Sequence, residues 1–186
     1  MKNILLGNEV ERMPDSVFWI MKQLFKIFYF FKPVDKYIAR FGIKQGDKVV
    51  DYGCGPGAFI KSASLLAGET GLVYAVDLHE MAISAVNELI RKNNLKNVKP
   101  VLAEGNKVAI PDNTADVVYA IDMFHMVKES DLFLKEICRI TKNVGTLIIE
   151  DGHQPRSLSI EKIKNSRCWN IIEENRRFLK CSPEKH

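Results

Sequence analysis

The strongest constraint on this chain is an alternation. Short, almost unbroken apolar runs recur between stretches whose apolar residues fall at helical spacing. Lys48 to Tyr52, Gly71 to Asp77, Val98 to Glu104, Ala115 to Asp122 and Gly145 to Asp151 read as five strands. Between them lie three helical patterns: AFIKSASLLA, EMAISAVNELIRKN, and ESDLFLKEICRIT with Ser130 as its N-cap. Another short helix, Val34 to Phe41, precedes the first strand. A strand with no polar face is covered on both sides, and parallel strands need crossover helices to join them. The pattern therefore predicts an α/β fold with a doubly wound, mostly parallel sheet. Pro100 confines its strand to an edge or to a position near the strand start. The tail breaks the alternation. After a helix over Ser157 to Asn165, WNIIEE and RRFLKCS read as two strands one or two residues apart, which only an antiparallel hairpin can join. The expectation is a seven-stranded sheet ending in a C-terminal antiparallel hairpin at one edge, with N-terminal helices added.

With 186 residues, the chain has room for one such domain and not for two. Residues 34–186 form the α/β domain and residues 1–33 a helical cap or lid. The net charge of +4 is mild, and the densest basic run, RKNNLKNVK, has no interleaved aromatics. It reads as a solvated helix end and loop, which argues against a nucleic-acid partner. Cysteines at 54, 138, 168 and 181 form no C-x-x-C pair and fit no zinc spacing, so no metal is expected. They read as buried free thiols in a reducing compartment, the cytoplasm. The first residues carry too short an apolar run for a signal peptide. Val17 to Phe31 is rich in aromatics, but Lys22, Gln23 and Lys26 interrupt it short of the ~20 apolar residues a membrane span needs. Three readings of it stay open: a helix over the core or active site, a membrane-surface helix, or a dimer contact. The oligomeric state is not legible.

The loop after the first strand, VVDYGCGPGAF, carries Gly53, Gly55 and Gly57 at alternate positions. Counted through Ala58, it satisfies the dinucleotide spacing G-x-G-x-x-G/A. Asp51 argues for another ligand. A carboxylate at the end of the strand repels the pyrophosphate that a dinucleotide loop places at a helix N-terminus. S-adenosylmethionine has no phosphate and carries an ammonium and a sulfonium, which suit that carboxylate.

These residues closely resemble the first motif of class I S-adenosylmethionine-dependent methyltransferases, (D/E)-x-G-x-G-x-G. Further features follow in order. VYAVDLHE ends the second strand with Asp77, which by resemblance holds the ribose hydroxyls. An NAD enzyme also places an acid there, so Asp77 alone does not discriminate. VLAEGNKVAIPDNTADVVYAID places Glu104 and Gly105 where the family has the residues that contact the adenine amino group. LKEICRITKNVGTLII is similar to the family's helix and turn into the fifth strand, with Asn143-Val144-Gly145 for the commoner Pro-Gly-Gly. The resemblance covers about residues 34–183 and includes the terminal hairpin. It implies a cofactor set of Asp51, Gly53, Cys54, Gly55, Gly57, Asp77, Leu78, His79, Glu104, Gly105 and Asp122. Leu78 and His79 flank adenine on this reading, or simply start the next helix.

Methyl transfer from a sulfonium is an in-line displacement in which the protein orients and shields. A base is needed only where the acceptor loses a proton. DMFHMV after the fourth strand and DGHQPR after the fifth place Asp122, His125, Asp151 and His153 near the reacting methyl, with His125 and His153 the candidate catalytic residues. DMFH lacks the two prolines of the Asn/Asp-Pro-Pro-aromatic motif of amino methyltransferases, and the loop resembles those of small-molecule enzymes. The expected function is methylation of a small acceptor, with S-adenosylhomocysteine as product. A cofactor-binding regulatory protein without turnover and an NAD(P)-dependent oxidoreductase are the alternatives.

Overall fold

The computed structural model describes residues 15–16, 18–20, 24, 34–104 and 107–184. Its strands are β1 (Lys48–Tyr52), β2 (Leu72–Asp77), β3 (Val98–Leu102), β4 (Ala115–Ala120), β5 (Thr141–Ile149), β6 (Trp169–Glu174) and β7 (Leu179–Pro183). The helices are α1 (Val34–Ile38), α2 (Ile60–Ala67), α3 (Glu80–Asn93), α4 (Ser130–Ile140) and α5 (Arg156–Ser166). The sheet has seven strands in the order β3-β2-β1-β4-β5-β7-β6. It is the mixed, mostly parallel sheet that the alternation predicts. Two compact units make up the chain, one from Arg12 to Leu102 and one containing Ala103 to His186. Most of the expected cap, residues 1–33, lies outside the described residues.

In the first unit β1 pairs parallel with β2 and β2 with β3. Val49, Val50, Val73, Ala75 and Val76 are fully buried, as continuous apolar strands require. Pro100 sits in the middle of β3, at the sheet edge, where its missing N–H costs no ladder bond to a further strand. Helix α3 turns Ala82, Ala85 and Val86 inward and stops at Asn94, which takes the left-handed conformation at φ 51°. Asn97 closes the end of α2: its Nδ2 donates to the carbonyls of Ser64 (3.0 Å) and Gly68 (2.7 Å).

In the second unit β4 and β5 are parallel, β5 and β7 antiparallel, and β6 and β7 antiparallel. Three local expectations change. β5 begins at Thr141, directly at the end of α4, and not at Gly145. Ala115 pairs with Thr141 and Val117 with Thr146, so five steps along β5 face two along β4. The segment expected as a turn is thus a bulge within the strand. Ser130 is the first residue of α4 and not its cap; Glu129 holds the cap position and makes no side-chain cap bond. The hairpin connection is longer than one or two residues, since β6 ends at Glu174 and β7 begins at Leu179. Asn175 closes it, with Oδ1 accepting from the N–H groups of Arg177 (2.9 Å) and Phe178 (3.1 Å).

Candidate cofactor and acceptor residues

The glycine loop is built by three left-handed residues: Gly53, Gly55 and Gly57 have φ of 81°, 50° and 87°. The N–H groups of Gly53 and Cys54 donate to the Val76 carbonyl at 2.8 and 2.9 Å, fastening the loop to the end of β2. Gly57 lies against α3, where an added Cβ would stand 3.2 Å from Leu89 Cδ2. Gly55 differs, because a Cβ there would meet no atom within 4 Å. Its left-handed backbone is needed for the turn, and its open side lets a ligand approach the main chain.

Asp77 faces this loop. Its Oδ2 accepts from Gly55 N–H at 2.8 Å and its Oδ1 from His79 N–H at 2.9 Å. Burial pushes its carboxyl above the usual carboxylate range, against the pull of those backbone bonds. Asp51 is 1% exposed at the end of β1. Between them Cys54 is buried, and burial with the Asp51 and Asp77 charges raises its thiol far out of the thiolate range. Cys54 is therefore a small apolar wall. A buried acid, a half-buried one and an open glycine fit a ligand that brings an ammonium, a sulfonium and a ribose diol. They do not fit a pyrophosphate.

His79 caps α3. Its Nδ1 accepts from Met81 N–H at 3.2 Å, and its Nε2 lies 3.3 Å from Asp15 Oδ1. Phe18 stacks on the ring, centroids 4.3 Å apart and planes at 25°. The helix-start reading of His79 thus has its geometry, and the ring also anchors residues 15 and 18. Leu78, beside it, is half-buried. Phe18 is buried, whereas Trp19, Ile20 and Leu24 are exposed. Glu104 is exposed and bridges in antiparallel fashion to Lys107. Gly105 lies outside the described residues.

The acceptor candidates all belong to the second unit. Asp122 follows β4 with φ 53°, a left-handed conformation uncommon outside glycine. His125 sits on Gly152, where a Cβ would collide with Nδ1 and lie 2.8 Å from Cε1. His153 meets His125 edge-on at 4.8 Å. Asp151 Oδ2 accepts from Arg156 Nε at 2.7 Å. His125 Nδ1 and Asp151 Oδ1 are both buried without a hydrogen-bond partner among the described residues. Burial lowers His125 below the ordinary imidazole value, opposed by Asp122 and reinforced by His153 and Lys162, so its ring is neutral at pH 7. Among the described residues no group of three His, Cys, Asp or Glu could hold a metal. The sequence did not single out Gly152 or Arg156. A glycine next to His153 and an arginine five residues after Asp151 were the available signals.

If Asp77 holds the ribose, the free protein and the complex respond to pH in opposite ways. Its folded pKa is raised, so its contribution to folding falls as pH rises from the ordinary carboxylate value through the raised one. A ligand that hydrogen-bonds to the ionised carboxylate needs the charged form. Affinity for S-adenosylhomocysteine is therefore expected to fall as pH drops below the raised value, approaching about tenfold per pH unit. Calorimetric titration across the acid range checks this, with Asp77→Asn expected to show a flat profile.

The strand order, the terminal hairpin and the acid-flanked glycine loop define a class I S-adenosylmethionine-dependent methyltransferase. A family model described as a methyltransferase domain matches residues 43–182, and the chain belongs to that family. An S-adenosylmethionine-dependent methyltransferase of Aquifex aeolicus is 26% identical, with a TM-score of 0.72 over 92% of this chain and 98% of that one. A TehB-like methyltransferase of Corynebacterium glutamicum, 14% identical, shares the fold with a TM-score of 0.71 over 92% of this chain and 100% of that one. The ubiquinone/menaquinone biosynthesis C-methyltransferase UbiE of Pasteurella multocida is 30% identical over 132 residues, which are 70% of this chain and 49% of that protein. The chain spans about half the length of the curated relatives it matches. Among the described residues no helix is long and apolar enough to cross a membrane.

Proposed function

We propose that this protein moves the methyl group of S-adenosylmethionine to a small acceptor in the cytoplasm. The observation that carries the reading is the half-buried Asp77 carboxylate, set by Gly55 and His79 beside a glycine whose open side admits a ligand. Asp51, Gly53, Gly55 and Gly57 would hold the methionine part and Asp77 the ribose, with Cys54, Leu78 and His79 beside them, and the family resemblance assigns Glu104, Gly105 and Asp122 to the cofactor as well. The bound sulfonium supplies an activated methyl carbon. His125, neutral at pH 7, is suited to take a proton from an acceptor that must lose one. His153 and Asp151 support it as further acceptor contacts. The UbiE relatives are named for C-methylation in ubiquinone and menaquinone biosynthesis, which supports an apolar, ring-bearing acceptor. Exposed Trp19, Ile20 and Leu24 support apolar contact by the N-terminal segment, a membrane surface included.

A panel of phenols, quinols and amines with methyl-tritiated cofactor tests the reading. Label transfer with release of S-adenosylhomocysteine is expected for the ring-bearing compounds. Cofactor binding without transfer to any of them would favour a regulatory protein. On a turning-over acceptor, Gly152→Ala should lower kcat roughly a hundredfold by displacing His125, and should leave S-adenosylhomocysteine affinity within about twofold of wild type. Equal losses of both would remove His125 from the acceptor side.

A further inference from the structure

We infer that Cys138 and Cys168 are a dithiol pair that a hydroperoxide closes to a disulfide. The pair lies outside the cofactor and acceptor residues. Cys138 belongs to the last turn of α4, and Cys168 lies between α5 and β6. Both are free and only half-buried, unlike Cys54 and Cys181, which are buried. This corrects the expectation that all four are buried free thiols. Cys138 Sγ donates to the Cys168 carbonyl oxygen at 3.8 Å, and Cys168 Sγ donates to the Ser166 carbonyl oxygen at 3.2 Å. Trp169 Nε1 donates to the Leu134 carbonyl at 3.0 Å, so the backbone beside Cys168 is already fixed to α4.

The two sulfurs are not equivalent. Cys168 lines a groove with Asp131, Lys135, Asn165, Ser166 and Arg167, which gives an oxidant access to its sulfur. Burial raises both thiols and pushes Cys138 up to about 11; at Cys168 Lys135 pulls against that burial, while Asp131 and Glu184 add to it. Cys168 is thus the attacking sulfur and Cys138 the resolving one. The Cys168 thiolate attacks one peroxide oxygen and the O–O bond breaks, leaving a sulfenic acid and a hydroxide that is protonated to water. Cys138 sulfur then attacks the sulfenic sulfur, the S–O bond breaks, and a second water leaves with the Cys138 proton. Two thiols lose two electrons in total, and the hydroperoxide gains them. Burial also raises Cys168, so the first step is slow at neutral pH and accelerates as pH rises.

Peptide mapping of the peroxide-treated, unreduced whole protein tests the assignment. The expected product joins the Cys138 and Cys168 peptides within one chain, is lighter by two hydrogens, and disappears with dithiothreitol. Cys54 and Cys181 should remain alkylatable after unfolding. The bond closes a loop spanning 30 residues in sequence, and the oxidised protein should melt roughly 5–15 °C higher. Cys138→Ser should accumulate a dimedone-trappable sulfenic acid on Cys168, and Cys168→Ser should leave Cys138 unmodified at the same peroxide dose. Independent oxidation of the two cysteines, a link to Cys54 or Cys181, or only intermolecular links would overturn the proposal. A dimedone adduct confined to Cys138 would overturn the order of attack.

Discussion

Replacing Asp77 with alanine should raise the dissociation constant for S-adenosylhomocysteine by two to four orders of magnitude while leaving the melting temperature nearly unchanged. On the proposed reading two ribose hydroxyls donate to this one charged carboxylate, and the binding loss follows from losing both bonds. Hydrogen bonds to charged groups contribute about 1.5–3 kcal/mol each, and two of them amount to roughly 3–6 kcal/mol. Stability behaves differently. The carboxylate accepts from Gly55 and His79, and losing those bonds costs stability. It is also a half-buried charge whose pKa is pushed upward, and removing that charge returns stability. The two effects oppose each other. Asp77→Asn separates them further: the amide keeps one acceptor oxygen but turns an N–H toward a backbone donor or a ribose hydroxyl. It should bind weakly, between wild type and alanine. An alanine variant that binds as well as wild type would remove Asp77 from the ribose site. A collapse of the fold would make it a structural acid.

The largest stability effect is expected in the other unit, at Arg139. This guanidinium joins α4 to the segment before β4. Its Nε donates to Glu136 Oε2 at 2.7 Å and its Nη2 to Glu136 Oε1 at 2.6 Å. Nη1 reaches the Ile110 carbonyl at 2.9 Å and Asp112 Oδ1 at 2.5 Å, and Nη2 reaches the Val108 carbonyl at 3.2 Å. Glu136 is 5% exposed and also accepts from Val108 N–H at 2.8 Å. Arg139→Ala strips a buried carboxylate of its cation and removes the guanidinium donor from the Ile110 carbonyl, while the Val108 carbonyl keeps the Ile110 N–H at 2.7 Å. Breaking a buried pair from one side costs about 3–5 kcal/mol, which in a chain of this size lowers Tm by roughly 6–20 °C. Removing both charges is a different experiment. Glu136→Leu with Arg139→Leu leaves no orphaned charge and should recover more than half of the loss. Calorimetric melts of the two proteins check this. Equal losses would mean that the carbonyl contacts, and not the buried charge, carry the stability.

Much of this architecture can be read from the chain because it rests on local patterns. β1, β6 and α3 begin and end where the apolar periodicity places them. The terminal hairpin follows from two strands too close in sequence for a crossover. What escaped reading depends on partners far along the chain. Asn143-Val144-Gly145 looks like a turn, yet β4 holds it as a bulge, and Val144 stays 88% exposed within a strand. Ser130 has the chemistry of a cap, but the chain enters α4 one residue earlier. The hairpin turn looked shorter than it is because Phe178, 1% exposed, reads as strand while it packs beneath the connection.

The candidate site divides in the same way. The glycines, Asp51 and Asp77 announce themselves by spacing. Their unequal duties do not, since only packing distinguishes the filled side of Gly57 from the open side of Gly55. His79 carries a helix cap, an acid contact and an aromatic stack at once, and Asp15 and Phe18 stand more than 60 residues away from it. The Glu136–Arg139 spacing was visible in KEICRI as an ordinary helical pair. Nothing in the sequence says that this pair is buried and grips residues near 110. Cys138 and Cys168 are likewise brought together only by the return of α5 beside α4.

The central claim is that this chain holds S-adenosylmethionine through the loop after β1 and the acid that ends β2. Isothermal titration of S-adenosylhomocysteine into the wild-type protein, with NADH as the parallel ligand, addresses it most directly. Saturable binding of S-adenosylhomocysteine at one site per chain, with none of NADH, is the expected result. Saturable binding of NADH with no response to S-adenosylhomocysteine would contradict it.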